Sequence, residues 1–258
     1  FVFPILCFYD KGMKKQLTEP DDWFTYWRHN CMVNYHYYLH NSNTRQEFKN
    51  EDKYLFHENV LKNNIPTIPI LKIPNLFIKH KNREGGLAIY SFKNAINNGD
   101  WIFQEKATNH KDIEKYLFKN SPLSTFRIVT TKNKVESCVF RIGLNNEDTD
   151  HNSVMYQINL KENKINKHIT NNKWYNKKHV NIKKKNLKNI NLKFLDEAYK
   201  LCLSAHKKLM KNIPILGWDV AYTQEYGLVL VEVNISCNFF CGKFDKTQYF
   251  KYINKILI

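Results

Sequence analysis

Asp219, Glu232 and Asn234 are the residues of this sequence whose types and spacing are most suited to chemistry. They fall in two apolar runs, GWDVAYT (217–223) and LVLVEVN (228–234), separated by a short turn at Glu225-Tyr226-Gly227. Side chains two apart on a strand share a face, so Glu232 and Asn234 point the same way. A hairpin closed at Tyr226-Gly227 can bring Asp219 onto that face. Two carboxylates and a carboxamide form an all-oxygen donor set, which suits Mg²⁺. That ion keeps one or two protein carboxylates and takes further ligands from substrate phosphates. The plainer reading is the polar outer side of an ordinary hairpin. The apolar flanks argue against it, because buried carboxylates need a counter-charge or a metal.

A second group is cationic. Lys79 ends the apolar run NLFIK, just before a polar turn that carries Gly85-Gly86. Arg127 and Arg141 sit inside STFRIV and CVFRIG. An Arg in such a strand either faces solvent or needs an anionic partner, and a polyphosphate is a good one. A third feature is WIFQEKA (101–107), a strand-like run ending in Gln104-Glu105 that can offer an edge to an adenine ring.

The elements that must position these residues follow from the pattern. Residues 21–40 read as an aromatic-rich helix. A second helix spans 44–63, opened by a Thr44-to-Glu47 capping box and ended by Ile65-Pro66. Short strands are expected at 67–71, 75–80, 87–92 and 101–107, and a short helix at 111–119. Longer strands follow at 124–131, 135–143 and 154–160. Residues 161–193, rich in Lys and Asn, read as a surface excursion. Leu192, Leu195, Ala198, Tyr199, Cys202, Ala205, His206 and Leu209 mark one face of a helix over 192–210. Strands at 215–223 and 228–236 close the chain. Antiparallel-looking runs without strict strand–helix alternation make this an α+β pattern.

Composition bounds the function. The 258 residues carry 40 Lys+Arg against 24 Asp+Glu, a net charge of +16. With 17 Phe, 15 Tyr and 5 Trp the chain is too apolar for intrinsic disorder, and 8 Gly and 7 Pro exclude collagen-like classes. No apolar run approaches the ~18–20 residues of a membrane span. Phe1–Tyr9 is too short, and no basic segment precedes it, so it is a poor signal peptide. The six Cys lack zinc spacing and suit a reducing, cytoplasmic compartment. The positive surplus reads either as attraction to an acidic partner or as compositional drift toward Lys and Asn.

The ordered set of Asp52-Lys53 opening a helix, FIK with Lys79, a Gly loop, FQEKATNH, STFRIVTT, FRIG, GWDVAYT and VLVEVN resembles ATP-grasp proteins, most closely the sugar-transfer-associated branch. The resemblance covers about residues 50–240. It implies an ATP-grasp fold with ATP between antiparallel sheets. Residues 1–50 would form an N-terminal helical segment in place of a longer leading domain, 51–110 the small subdomain and 111–258 the large subdomain. By resemblance, Lys53 and Lys79 would contact the ATP phosphates and Gly85-Gly86 would be the lid. Gln104, Glu105 and Ala107 would hold adenine, with His110 or Asp112 at the ribose. Arg127 and Arg141 would bind the γ-phosphate or the reacting carboxylate, and Asp219, Glu232 and Asn234 would carry Mg²⁺.

The expected activity is carboxylate–amine ligation through an acylphosphate, on an acidic or sugar-linked acceptor of surface polysaccharide or glycopeptide synthesis. A kinase of the same fold and a non-catalytic, basic nucleic-acid-binding protein are the alternatives. The second lacks a recognition helix, zinc module or aromatic sheet signature. Some features depart from the family pattern. The lid has two glycines. Ile235-Ser236-Cys237-Asn238-Phe239 replaces the usual small-residue turn after the metal-binding Asn, and Asp150-His151-Asn152 lacks following glycines.

Overall fold

The structure, a computed structural model, describes residues 23–73, 75–82, 89–150, 153–171, 185–235, 237, 251 and 254–255. Helix α1 (Trp23–His40) leads into α2 (Ser42–Phe48), a single 3₁₀ turn (Lys49–Glu51) and α3 (Lys53–Lys62). The helix expected over 44–63 is therefore two helices, and Thr44 does not cap it. Asn41 caps α2, its side chain accepting from Asn43 N and Thr44 N. Asp52 caps α3, its Oδ1 accepting from Leu55 N at 2.9 Å. Two good N-cap residues, Asn41 and Asp52, compete with one continuous helix, and both are used.

Strands β1 (Asn75–Lys79) and β2 (Ile89–Lys93) pair antiparallel as a separate two-stranded sheet. The runs at 67–71 and 101–107 are extended connections rather than strands, held by isolated bridges at Thr67, Ile70, Trp101 and Gln104. A short helix α4 (Lys111–Glu114) follows. The main sheet contains β3 (Thr125–Thr131), β4 (Lys134–Gly143), β5 (Ser153–Asn159), β6 (Lys164–Asn171), β7 (Ile215–Thr223) and β8 (Gly227–Asn234). Its order is β6-β5-β4-β3-β7-β8, with every neighbour antiparallel. Strand β6 corrects the reading of 161–193 as wholly excursion. It pairs by backbone, which a Lys- and Asn-rich strand on a sheet edge does without an apolar pattern.

Helix α5 (Leu195–Leu209) packs across β3, β4, β7 and β8. It buries Leu195, Ala198, Cys202, Ala205, His206 and Leu209 against Phe126, Ile128, Phe140, Trp218, Val220 and Leu230. Spacings of three and four on the helix meet alternation on the strands, so one sheet face is largely apolar. A polar chain crosses this core. Trp218 Nε1 donates to Thr130 Oγ1, Thr130 Oγ1 lies 2.8 Å from His206 Nδ1, and His206 Nε2 lies 2.8 Å from Ile213 O. A neutral His206 protonated at Nε2 satisfies all three contacts, and burial pushes its pKa down to about 4.

The opposite sheet face carries the candidate site. Residues directly paired across strands share a face, so Glu232, Asp219, Arg127, Val139 and Gln157 form one row. Thr125, Arg141 and Met155 form the next. A bulge makes this compatible with the core: Asp219 pairs with Glu232, whereas Val220 pairs with Leu230. The extra residue, Val231, puts Leu230 in the core and Glu232 on the other side although they are two apart. Gly217 lies beneath this face. A Cβ there would meet Cys237 Cβ at 2.6 Å and Arg127 Cδ at 3.4 Å, so only Gly admits the post-β8 segment so close to Arg127.

Candidate active site

Asp219, Arg127, Arg141 and Asp150 form a nearly dry ion network. Arg127 grips Asp219 through both oxygens, Nε to Oδ1 and Nη2 to Oδ2 at 2.9 Å. Arg141 Nη2 reaches the same Oδ2 at 2.9 Å, and its Nε lies 3.2 Å from Asp150 Oδ2. Thr125 Oγ1 donates to Asp150 and accepts from Arg141 at 2.6 and 2.9 Å. Burial alone would raise the Asp219 pKa, but the two guanidiniums outweigh it and hold the carboxyl well below the usual range. Burial likewise opposes the Arg127 charge, and Asp219 more than offsets it. The two arginines expected to await a phosphate are thus already committed to carboxylates. An Arg buried in a strand needs its anion in the unliganded protein too.

The next carboxylate is Glu232, directly opposite Asp219 in register. One oxygen accepts from Asn234 Nδ2 at 3.1 Å, and the other lies 3.3 Å from Lys53 Nζ. Asp219, Glu232 and Asn234 therefore meet on one face, as their spacing predicts. Lys53 arrives from the first turn of α3, oriented by the Asp52 cap.

Lys53 and Glu232 stand at a cavity of ≈ 240 Å³. Phe56, Ile102 and Val231 form its apolar wall, and His57, Thr67 and Gln104 add polar groups. Gln104 Nε2 is fixed by Ile68 O at 2.8 Å, and Thr67 Oγ1 by Leu230 O at 2.9 Å. Three predicted residues, Lys53, Gln104 and Glu232, thus converge on one hollow from three elements. His57 and Thr67 were not foreseen. Their place depends on how α3 and the 66–71 connection, bridged in parallel to β8 at Thr67, come together, and no local pattern announces that.

The other predicted residues are distributed around this centre. Glu105 N donates to Pro69 O at 3.1 Å, and Tyr226 Oη donates to the Glu105 carboxylate. Ala107 is buried with Ile68, Ala221 and Val229. His110 caps α4, accepting from Asp112 N at 3.2 Å, and its ring stacks on Tyr222 with centroids 4.0 Å apart. Asp112 is largely exposed. Lys79 is exposed at the end of β1. Gly85 and Gly86 lie outside the described residues, as do His151, Asn152, Ser236, Asn238 and Phe239.

A model of the sugar-transfer associated ATP-grasp family matches residues 87–241, more than half of the chain. The chain belongs to that family. Its α+β architecture is the ATP-grasp fold. Among solved structures, the ATP-grasp ligase PsnB complexed with minimal precursor aligns at 12% identity and a TM-score of 0.43, covering 84% of this chain and 63% of that one. PsnB with minimal precursor, Mg and ADP aligns at 12% identity and the same TM-score, covering 83% and 60%. N5-carboxyaminoimidazole ribonucleotide synthetase from Thermotoga maritima aligns at 13% identity and a TM-score of 0.33, covering 72% and 42%. The chain spans less than two thirds of the length of these proteins. No curated protein matches it. Among the described residues of this ATP-grasp protein, no helix is long and apolar enough to cross a membrane.

Proposed function

We propose that this ATP-grasp protein is an ATP- and magnesium-dependent ligase that joins a carboxylate to an amine through an acylphosphate. The acceptor in this reading is acidic or sugar-linked, as in surface polysaccharide or glycopeptide synthesis. The observation that carries the reading is the convergence of Lys53, Gln104 and Glu232 on one cavity beside the Asp219–Arg127–Arg141 network.

The donor set suits Mg²⁺ by its chemistry. Asp219 and Glu232 supply hard carboxylate oxygens from directly opposed positions, and the Asn234 carboxamide adds a third oxygen. These residues fit and would hold the ion, which when bound supplies charge neutralisation at the phosphates. Charge counting supports a metal-borne substrate. Lys53, Arg127 and Arg141 are already balanced by Glu232, Asp219 and Asp150. A triphosphate entering such a site needs its own counter-charge.

In the proposed reaction, a carboxylate oxygen attacks the γ-phosphorus of ATP, the bond to the β-phosphate oxygen breaks, and ADP leaves. An amine then attacks the acyl carbon, loses a proton, and expels inorganic phosphate. Lys53, mostly exposed, is free to turn from Glu232 toward phosphate oxygens. Arg141 bridges two carboxylates at the sheet face and is placed to exchange one of them for the reacting carboxylate or the transferring phosphoryl group. Arg127 keeps Asp219 ionised and oriented.

The test is a screen of amino-acid and uronic-acid pairs with ATP and Mg²⁺, reading ADP release and product mass. An amide with one ADP and one phosphate per turnover supports the ligase. A stable phosphoester assigns a kinase. A protein that neither binds nor turns over nucleotide overturns both.

A further inference from the structure

Beyond Asn234 the chain departs from the family pattern with Ile235 and Cys237, and both are buried. Pairing between β7 and β8 ends at Gly217 and Asn234, so the backbone groups that follow need other partners. Three side chains that precede α3 in the sequence supply them. Asn34 Nδ2 on α1 donates to Ile215 O at 2.9 Å and to Ile235 O at 2.8 Å, bridging the two strand ends where the ladder stops. Asn30 Nδ2, one turn earlier, donates to Cys237 O at 3.2 Å. Glu51, at the end of the 3₁₀ turn, accepts from Ile235 N at 2.9 Å through Oε1. The residue that follows Asn234 is therefore held at both its N–H and its carbonyl.

The bridge has a cost that marks its purpose. Asn34 is 1% exposed, and its Oδ1 meets no donor. A leucine of similar volume would bury no unmet acceptor, but it could not hold carbonyls of two different strands. Glu51 acts from beside Lys53. It fixes the amide on one side of Asn234, while Lys53 pairs with Glu232 on the other side. Asn234 lies between these two grips, its Nδ2 donating to Glu232 at 3.1 Å. Side chains that hold a metal depend on such outer partners for their orientation, and losing one typically weakens the metal about 10–100-fold.

Resting on the magnesium-nucleotide reading above, we propose that Asn34 and Glu51 are positioning residues that fix the exit of β8 and so hold the Asn234 carboxamide and the Glu232 carboxylate in place beside Asp219. The N-terminal helical segment then completes the metal site of this chain, in the role that a small-residue turn after the metal-binding Asn would otherwise fill.

The experiment measures the Mg²⁺ concentration that half-saturates binding of a non-hydrolysable ATP analogue, by calorimetry, together with the metal-free melting temperature. The proteins are the parent, Glu51→Gln, Glu51→Ala and Asn34→Leu. Gln keeps an oxygen that can accept from Ile235 N and removes the charge, whereas Ala removes both. The expected result is a Mg²⁺ requirement raised about tenfold in Glu51→Ala and Asn34→Leu, and within about twofold of the parent in Glu51→Gln. Glu51 is exposed, so the metal-free melting temperature of Glu51→Ala should stay within a few degrees of the parent. An unchanged Mg²⁺ requirement in Glu51→Ala, or in a folded Asn34→Leu, overturns the proposal. So does an equal rise in Glu51→Gln and Glu51→Ala, which would assign the effect to charge rather than to the hydrogen bond. A large loss of metal-free stability in Glu51→Ala also overturns it, by making Glu51 a support of the fold. A parent protein that binds no analogue at any Mg²⁺ concentration overturns the nucleotide reading, and the proposal with it. Should Asn34→Leu fail to fold, the two Glu51 variants decide the matter.

Discussion

Asp219→Asn is the substitution that most sharply separates this site from an ordinary strand face. Asp219 is 3% exposed, accepts two guanidinium hydrogen bonds from Arg127 and forms an ion pair with Arg141 at 2.9 Å. Asn keeps the shape and removes the charge, which takes from Arg127, itself 7% exposed, the carboxylate that both its Nε and Nη2 hold. Breaking one side of a buried pair costs ~3–5 kcal/mol, much of it the stranded partner. At roughly 2–4 °C per kcal/mol for a chain of this size, the melting temperature should fall by roughly 6–20 °C. The pH dependence is equally specific. The folded carboxyl titrates below its unfolded value of ~3.9, so its contribution is complete above that value. It is lost only as pH falls through the depressed folded value. The difference between parent and variant should therefore be the same at pH 5.5 and pH 8. Adding Arg127→Met to Asp219→Asn should recover part of the loss, because the stranded cation is gone. Thermal and urea melts of the four proteins in this cycle make the measurement. A fall under ~2 °C, or a double variant no better than the single, refutes the buried-pair argument.

Three further outcomes follow. Stability should fall by about 3 kcal/mol as pH drops from 6.5 to about 4, because the unfolded state protonates His206 before the folded state does. His57, also depressed, acts in the same sense, so His206→Gln should flatten the urea-melt pH profile only in part. Lys53→Ala should change stability by less than about 1 kcal/mol, because its pair with Glu232 is largely exposed, yet abolish thermal protection by ATP. The Lys/Asn-rich stretch 171–193 reads either as a solvated loop of drifted composition or as a surface that steers a polyanionic acceptor; steering would raise acceptor KM with salt and with Lys183, Lys184 and Lys185 changed together to Gln. Residues 172–184 lie outside the described structure, and Lys185 is committed to Leu117 O. A KM indifferent to both changes assigns the charge to composition.

The main sheet and its helix were readable because they obey simple periods. Leu195, Ala198, Cys202, Ala205 and Leu209 recur at helical spacing, and STFRIVTT, CVFRIG and GWDVAYT alternate or run apolar as central strands do. Asp219 opposite Glu232 was legible from a short turn between two apolar runs. The bulge was not. Period two puts 230, 232 and 234 on one face, and only the three-dimensional register moves Leu230 to the other. Strand β6 was missed because edge pairing is carried by backbone rather than by side-chain pattern. The arginines were legible as buried charges, but their partners were not. A sequence shows that Arg127 needs an anion, and only register shows that Asp219, 92 residues away, is that anion. His57 gave no signal at all, since a histidine beside Phe56 on a helix face reads as core.

The most direct test of the central claim, that this sheet face and its cavity form a magnesium-nucleotide site, is calorimetric titration with a non-hydrolysable ATP analogue, with and without Mg²⁺, on the parent protein and Glu232→Ala. The expected result is saturable 1:1 binding that requires Mg²⁺ in the parent and disappears in Glu232→Ala, whose melting temperature stays within a few degrees of the parent. Binding that is absent in the parent, or that survives unchanged without Mg²⁺ and in Glu232→Ala, contradicts it.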